Sequence, residues 1–359
     1  MTPCTLVQSH VMEVSVKRAG TRVLVGLSGG VDSAVTAALL KKQGADVVGV
    51  FIKGWYPPEL PCTWAADRRD AMRVAARLGI PFHTLDASVE YKKSVIDYLL
   101  TEYKEGRTPN PDIMCNRDVK FGAFYNFAMH KGADFIATGH YARAEDGTLL
   151  RGIDPDKDQS YFLWAISKEA LTKTLFPLGG YKKTEVRALA KRFNLPVAEK
   201  KDSQGICFLG AISVDDFLKG EFGAEHGNAV DEQGNQVGKH DGALLRTLGE
   251  RVALQGSHPG PWYVIKKDIE HNVLTVSKAR ILPVSTHHIA LTHTNWFTLP
   301  RKDEVVEAQY RYHGPRISGT YVDGERRFYP AEPFAEVIAE GQSLVLYRGD
   351  ECIGGGIIT

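Results

Sequence analysis

Arg22-Val-Leu-Val-Gly-Leu-Ser-Gly-Gly-Val-Asp-Ser33 runs from an apolar, β-branched segment through a glycine–serine turn into the helix-forming stretch Ala34–Lys42. Strand, turn and helix in that order are the setting of a phosphate-binding loop. Glycines let the main chain approach an anion and turn N–H groups toward it. The start of the helix adds its partial positive charge. Ser28 and Ser33 bring hydroxyl donors. Asp32 would repel phosphate by itself, so it is expected to help hold Mg²⁺ or to orient the loop donors. The stretch is not a Walker A loop, which needs four residues between glycines and then Gly-Lys-Ser/Thr, and it lacks G-x-G-x-x-G.

Outward from this stretch, strand-like and helix-like segments alternate. Asp46–Ile52 reads as a strand, Trp64–Leu78 as an amphipathic helix and Phe82–Leu85 as a strand. Tyr91–Tyr103 and Val119–His130 read as helices, Asp134–Thr138 as a strand, and Lys182–Phe193 as a last helix. This alternation predicts a parallel sheet with helices on both faces. After about Gly205 turn residues multiply. Tyr263–Ser277 reads as two strands joined around Glu270–Asn272, and from about Val284 almost every segment is strand-like. The expected architecture is an α/β domain over residues 1–205, a small central domain over 206–280 and a C-terminal β-barrel over 281–359.

The 359 residues are 43% hydrophobic and 24% charged, the balance of soluble globular domains. No run reaches the roughly 18 apolar residues of a bilayer span. The N-terminus lacks the basic start and unbroken apolar run of a signal peptide. A cytoplasmic location with no membrane contact is expected. The formal net charge of +1 speaks against a nucleic-acid coat protein, but it is an average. Residues 1–205 carry a net +6 and the remainder −5. Tyr181–Lys201 alone holds seven basic and two acidic residues. Such a stripe suits either a solvated face or polyanionic RNA.

Five cysteines, Cys4, Cys62, Cys115, Cys207 and Cys352, are odd in number and widely spaced, with no CxxC. A disulfide framework or zinc ribbon is therefore disfavoured. Gly106-Arg-Thr-Pro-Asn-Pro-Asp-Ile-Met-Cys-Asn-Arg-Asp-Val-Lys-Phe121 contains two prolines that stiffen a loop. The reading puts Cys115 just before a helix, where the macrodipole favours thiolate and Arg117 and Lys120 add to the field. Lys201-Asp-Ser-Gln-Gly-Ile-Cys-Phe-Leu-Gly210 carries Cys207 in a loop-like segment. Burial without reactivity is the ordinary state of a lone cysteine, and it is the reading for the other three.

SGGVDS resembles the pyrophosphate loop of the N-type ATP pyrophosphatases, which split ATP to AMP and pyrophosphate. With the two cysteine stretches, the chain resembles the bacterial tRNA-specific 2-thiouridylases. The likeness extends to Ala137-Thr-Gly-His-Tyr141, Asp154-Pro-Asp-Lys-Asp-Gln-Ser-Tyr-Phe-Leu163, Tyr310-Arg-Tyr312, Gly341-Gln342 and Gly354-Gly-Gly-Ile-Ile358, and covers nearly the whole chain. It implies thiolation of C2 of wobble uridine 34 in tRNAs for Lys, Glu and Gln. ATP would lie on Gly26, Leu27, Ser28, Gly29, Gly30, Val31, Asp32 and Ser33, with Ile52 beside the adenine and Gly139 also touching the nucleotide. Asn110, Pro111 and Asp112 match the segment that meets the target base. His140, Lys157, Asp158, Gln159, Arg311, Tyr312 and Gln342 match positions that touch tRNA.

The implied chemistry adenylates the C2 oxygen, and sulfur then displaces AMP. By resemblance, Cys207 carries a persulfide accepted from a cysteine desulfurase or sulfur-relay protein, and Cys115 is the nucleophile. Cys115 either attacks the persulfide, leaving a Cys115–Cys207 disulfide, or attacks activated C2 first. Asp112 is a candidate general acid/base, or a helix-capping or turn residue. The family's His-Thr-x-Gly-Gln-Arg-Lys-Gly-Leu stretch reads Arg246-Thr-Leu-Gly-Glu-Arg-Val-Ala-Leu254 here, which puts contacts of the central domain in question. Two other readings compete. A ligase acting on a small metabolite would explain the loop but not the cysteine pair. A non-catalytic RNA-binding or sulfur-carrier protein would not need the loop.

Overall fold

The computed structural model describes residues 19–57, 64–202, 213–256, 259–279, 281–332 and 334–359. The first domain is built on a five-stranded parallel sheet. Its strands are β1 (Arg22–Gly26), β2 (Asp46–Lys53), β3 (Phe82–Asp86), β4 (Phe135–Ala137) and, after a hairpin of β5 (Ala142–Glu145) and β6 (Thr148–Arg151), β7 (Thr174–Leu175). The order across the sheet is β3-β2-β1-β4-β7. Val23, Leu24 and Val25 are wholly buried, as a central parallel strand covered on both faces requires. The strand order reverses between β1 and β4, and the crevice beyond their carboxyl ends is where such sheets bind ligands.

Helix α1 (Val31–Lys42) follows β1 and is buried along most of its length, whereas α2 (Trp64–Leu78) buries only Ala71, Val74 and Ala75, one stripe at helical spacing. The next helical run comprises α3 (Ser88–Tyr91), the wider π-turns of Lys92–Ile96 and α4 (Asp97–Lys104). A third comprises α5 (Pro111–Met114), π-turns over Cys115–Ala123 and α6 (Phe124–His130). Short α7 (Lys168–Thr172) and then α8 (Lys183–Arg192) complete this part, and α8 packs on α1.

In the central part, strands Arg251–Val252, Trp262–Asp268, Val273–Ser277, Gly227–Val230 and Gln236–His240 form one sheet. A bridge between Lys239 and Gln255 joins its two edges. The C-terminal part closes fully. Strands Ile289–Trp296, Arg327–Pro330, Arg316–Val322, Val305–Gln309, Ser343–Arg348 and Glu351–Ile358 pair in that order, and the last returns to the first. Phe328, Leu344, Leu346 and Ile353 lie inside with no exposure.

The sequence reading did not anticipate the β5–β6 hairpin. It adds to the barrel as a further pair of strands, with Leu150 opposite Glu351 and Leu149 opposite Cys352. Tyr161 Oη donates to the Ser343 carbonyl at 2.9 Å, and Asn295 Nδ2 donates to the carbonyls of Trp164 and Ile166 at 2.7 and 3.0 Å. Val345, Tyr347, Cys352 and Ile357 belong to the same apolar core as Leu24 and Phe124. The first domain and the barrel therefore share one core.

Candidate active site and nucleic-acid interface

The loop after β1 lies at the strand-order reversal. Gly29 has φ +78°, and a Cβ there would stand 2.3 Å from the Asp67 carbonyl oxygen in α2, so both conformation and space require glycine. Gly139, just past β4, approaches α1 closely enough that its Cβ would lie 2.9 Å from Ser33 N. Ser33 Oγ donates to the Gly30 carbonyl and accepts from Ser28 N, both at 3.2 Å, which curls the loop over the helix start. Gly30 caps α1 without a side-chain bond. That end of the helix offers N–H groups and partial positive charge to an anion. A Cβ on Gly26 would meet Ile52, Phe124 and the Ala137 carbonyl, so Ile52 stands beside the loop's first glycine.

The side-chain charges around the loop were not legible in the motif. Lys183 Nζ, from the first turn of α8, lies 2.7 and 2.8 Å from the two carboxylate oxygens of Asp32. Tyr141 Oη donates to the same carboxylate at 2.9 Å. Lys183 also pairs with Asp202 at 2.9 Å. Lys200 Nζ donates to the Gly29 carbonyl at 3.1 Å and to Asp67 and Asp70 at 2.8 Å each. Asp32 is thus neutralised by Lys183. The only hint in the sequence was the basic stripe that contains both lysines.

Cys115 departs from expectation. Its helix starts at Pro111, with Asn110 as the cap accepting from Asp112 N at 3.2 Å. Asn-Pro is itself a helix-start signal, because proline suits the first helical position. Cys115 accordingly lies inside a continuous helical run and is 5% exposed. Arg117 forms a two-pronged pair with Asp118 at 2.8 Å, which offsets its charge. Lys120 donates to Asn116 Oδ1 at 3.0 Å, and Asn116 Nδ2 donates to the Phe162 carbonyl at 2.9 Å. Burial raises the Asp112 carboxyl above the usual carboxylate range, with Lys120 opposing. A shift in that direction makes the carboxyl a better proton holder than an exposed carboxylate. The π-turns over Cys115–Ala123 belong to a class of distortion that is frequent at functional sites. Phe121 from this run packs on His140 beyond β4, and Phe124 reaches Gly26, so the cysteine helix and the phosphate loop converge on the same strand ends.

Cys207, like Cys4 and Cys62, lies outside the described residues. Cys352 is buried, and its thiol is pushed up to about 12 by that burial.

The residues expected at tRNA divide. His140 is buried against Phe121 and Phe176, shares a 2.8 Å bond with Thr138 Oγ1, and burial holds it well below the usual histidine range, so it is neutral. Gln159 Oε1 accepts from Tyr141 N at 3.1 Å, and Gln342 Nε2 donates to the Thr108 carbonyl at 2.7 Å. Asp158 accepts from Gly152 N and from the backbone and hydroxyl of Ser160. These four hold the chain in place. Lys157 is half-exposed, 3.9 Å from Asp202, and Arg311 pairs with Glu336 at 3.0 Å. Tyr312 stacks on His313 at 3.9 Å and packs on Phe162 at 4.4 Å. Tyr312, His313 and Arg316 from the barrel and Arg143, Arg151 and Asp158 from the first domain wall a cleft of about 520 Å³. Arg151, stacked 3.4 Å over Tyr347, was not anticipated.

In the divergent segment, Arg246 pairs with Asp215 at 2.9 Å, Asp241 at 2.8 Å and Glu250 at 2.9 Å. The replacements of the family's His and Gln pair with each other. Among the described residues, no three His, Cys, Asp or Glu side chains gather as a metal site, and no helix is long and apolar enough to cross a membrane.

Three family models match consecutive parts of the chain. They are a tRNA methyl transferase HUP domain over residues 21–211, a tRNA methyl transferase PRC-barrel domain over 215–278 and an aminomethyltransferase beta-barrel domain over 286–358. The chain is 44% identical to the tRNA-specific 2-thiouridylase MnmA of Streptococcus uberis, over 94% of its own length and 95% of that protein's. It belongs to the tRNA-specific 2-thiouridylase family. The MnmA of Enterococcus faecalis is 43% identical with the same coverage. Among solved structures, a 4-thiouridine synthetase–RNA complex with bound ATP matches 51% of this chain and 43% of that one, at 23% identity and a TM-score of 0.34. The fold class read from the sequence, a parallel α/β sheet followed by a small central domain and a C-terminal β-barrel, is the one observed, and the central domain matches a barrel model.

Proposed function

We propose that the protein thiolates C2 of the wobble uridine, position 34, in tRNAs for Lys, Glu and Gln. The carrying observation is the convergence of the phosphate loop and the Cys115 helix on the carboxyl ends of β1 and β4, in a member of this family. ATP lies on Gly26–Ser33 with its adenine toward Ile52 and Gly139. Mg²⁺ commonly binds through one or two carboxylates plus substrate phosphates. Asp32 fits that use, and a cation it held would help neutralise the pyrophosphate leaving group. The C2 oxygen attacks the α-phosphate, and AMP becomes the group that sulfur displaces.

Sulfur arrives as a persulfide on Cys207, loaded by a donor protein such as a cysteine desulfurase or sulfur-relay protein. In one order, the Cys115 thiolate attacks the Cys207 sulfur, a Cys115–Cys207 disulfide forms, and hydrosulfide leaves with the electron pair to attack C2. In the other, the Cys115 thiolate attacks C2 first and AMP leaves, the outer persulfide sulfur on Cys207 then displaces Cys115 from C2, and Cys115 attacks the Cys207 sulfur, so that the S–S bond breaks with sulfur left on C2 and a Cys115–Cys207 disulfide forms. Either way, a thiol reductant must restore the two cysteines. Asp112 exchanges the proton. The anticodon loop reaches the site with its uridine turned out of the stack, while the stem lies along the cleft of Arg143, Arg151, Tyr312 and Arg316.

The test incubates purified protein with unmodified tRNA, ATP, Mg²⁺ and a persulfide donor and measures 2-thiouridine by mass spectrometry. Product at position 34 is expected. No product, with tRNA and donor competent for a reference enzyme, overturns the proposal.

A further inference from the structure

Thr108 is buried in the loop that leads from α4 into the Cys115 helix, and its polar groups are held by the other two domains. Its N–H donates to the Glu340 carbonyl at 2.8 Å, and its carbonyl accepts from Gln342 Nε2 at 2.7 Å, both in the barrel part. Its hydroxyl donates to Thr247 Oγ1 of the central part at 3.2 Å. The barrel side is tight, since a Cβ on Gly341 would stand 2.9 Å from the Thr108 carbonyl oxygen. On the central side Thr247 is a fixed post. Its N–H donates to Glu250 Oε2 at 2.8 Å, and the carbonyl before it accepts from Lys267 Nζ at 2.7 Å. Glu250 is in turn paired with Arg246 at 2.9 Å. The two residues that stand in for the family's His and Gln, Arg246 and Glu250, thus brace Thr247.

Thr108 leads directly into the reacting segment. Pro109 and Pro111 have their own φ locked, and each confines the residue before it. Thr108 and Asn110 are the residues so confined. Asn110, at φ −111° and ψ 97°, caps the helical run that carries Asp112 and Cys115. Few soft dihedrals remain between Thr108 and Asp112, so a shift at Thr108 is passed along and not absorbed. We infer that Thr108 is a positioning residue for thiolation, through which the central domain, by way of Thr247, sets the placement of Asp112 and Cys115 against the target base. The inference rests on the reading of the site above. It gives the divergent central segment a part in the reaction that needs no contact with tRNA or nucleotide. A bond that only supported the fold would change stability and leave turnover alone.

The test measures steady-state thiolation by full-length protein with unmodified tRNA, ATP, Mg²⁺ and a persulfide donor, and ATP affinity by calorimetry. For Thr247→Val, kcat is expected to fall at least about fivefold, within the range of one neutral hydrogen bond, while KM for tRNA and the ATP dissociation constant stay within about twofold. Thr247→Ser, which restores the hydroxyl, is expected to return kcat to within about twofold of wild type. Thr108→Val removes the same bond from its other end and should lose as much, and the double variant should lose no more than about twofold beyond either single one. A smaller kcat loss in Thr247→Val overturns the inference. So does a loss expressed in KM or ATP binding instead, a failure of Thr247→Ser to recover, or losses that multiply in the double variant. If one valine variant fails to fold by circular dichroism, the other decides alone; if both fail, the bond serves the fold and the inference is overturned. Wild-type protein that makes no 2-thiouridine defeats the underlying reading. Wild-type turnover with Thr247→Val unaffected defeats this inference only.

Discussion

Gly29→Ala separates two costs that a loop glycine can hide. The first is conformational. At φ +78° an alanine in the left-handed region costs about 1–2 kcal/mol. The second is steric. The new Cβ would stand 2.3 Å from the Asp67 carbonyl oxygen. Carbon–oxygen contacts settle at about 3.3 Å, so loop or helix α2 must yield by roughly 1 Å. Lys200 ties the Gly29 carbonyl to Asp67 and Asp70, so the yielding strains that tie. Gly132 supplies the control, with φ +75° and nothing within 4 Å of its Cβ. Gly132→Ala is expected to lose about 1–2 kcal/mol of stability with near-normal thiolation. Gly29→Ala is expected to lose at least as much stability and to thiolate about 100-fold more slowly, the scale for an active-site displacement of 1 Å. Thermal unfolding and initial rates of 2-thiouridine formation measure both. Rates for Gly29→Ala within about threefold of Gly132→Ala would refute the close-approach argument.

Cys115→Ser is expected to abolish persulfide-dependent thiolation while Cys352→Ala keeps it, and iodoacetamide should leave Cys352 unlabelled in native protein; labelling followed by peptide mass spectrometry checks this. Asp112→Asn should be more stable than wild type at pH 8. The carboxyl's raised folded pKa makes its ionised form costly, and the advantage should shrink as pH falls and Asp112 takes up its proton. Equal pH dependence of unfolding in both proteins would refute that. Lys267 donates to the Arg246 carbonyl at 2.7 Å, and burial pushes it down to about 8. The unfolded chain then binds more protons than the folded one between about pH 8 and 10.4, so wild-type stability should rise across that window. Lys267→Met should remove the rise and gain about 1–3 kcal/mol at pH 7, read by denaturant unfolding.

What was legible in the sequence depended on how local the signal was. β1, the loop and α1 form one contiguous stretch, and α2 matched its expected limits. The start of the Cys115 helix was set too late because Asn110-Pro111 was read as loop rigidity and not as a cap with a first-turn proline. The β5–β6 hairpin was missed because Ala142–Glu145 carries little β-branched character, yet Asp146-Gly147 is a hairpin signal. Both residues have positive φ, at 48° and 80°, as a type I′ turn demands. Lys183 and Lys200 could not be assigned at all. Their partners lie 151 and 171 positions away, and only the packing of α8 on α1 brings charge to the loop. For His140, Asp158, Gln159 and Gln342, position in the family pattern gave no warning that each would be engaged in holding the fold.

The pairing of β6 with the last strand has a consequence for synthesis of the chain. Leu149 and Leu150 leave the ribosome long before Cys352 and Glu351 do, by ~10–40 s at ordinary elongation rates. Over that interval the hairpin has an open edge, and the apolar surface later covered by Val345, Tyr347 and Ile357 faces solvent. A message cut short near its end would therefore yield a chain whose phosphate loop and Cys115 are present but whose first domain lacks part of its own core. The domain that carries the phosphate loop and Cys115 thus gains its full core only once the strands over Ser343–Arg348 and Glu351–Ile358 have been made.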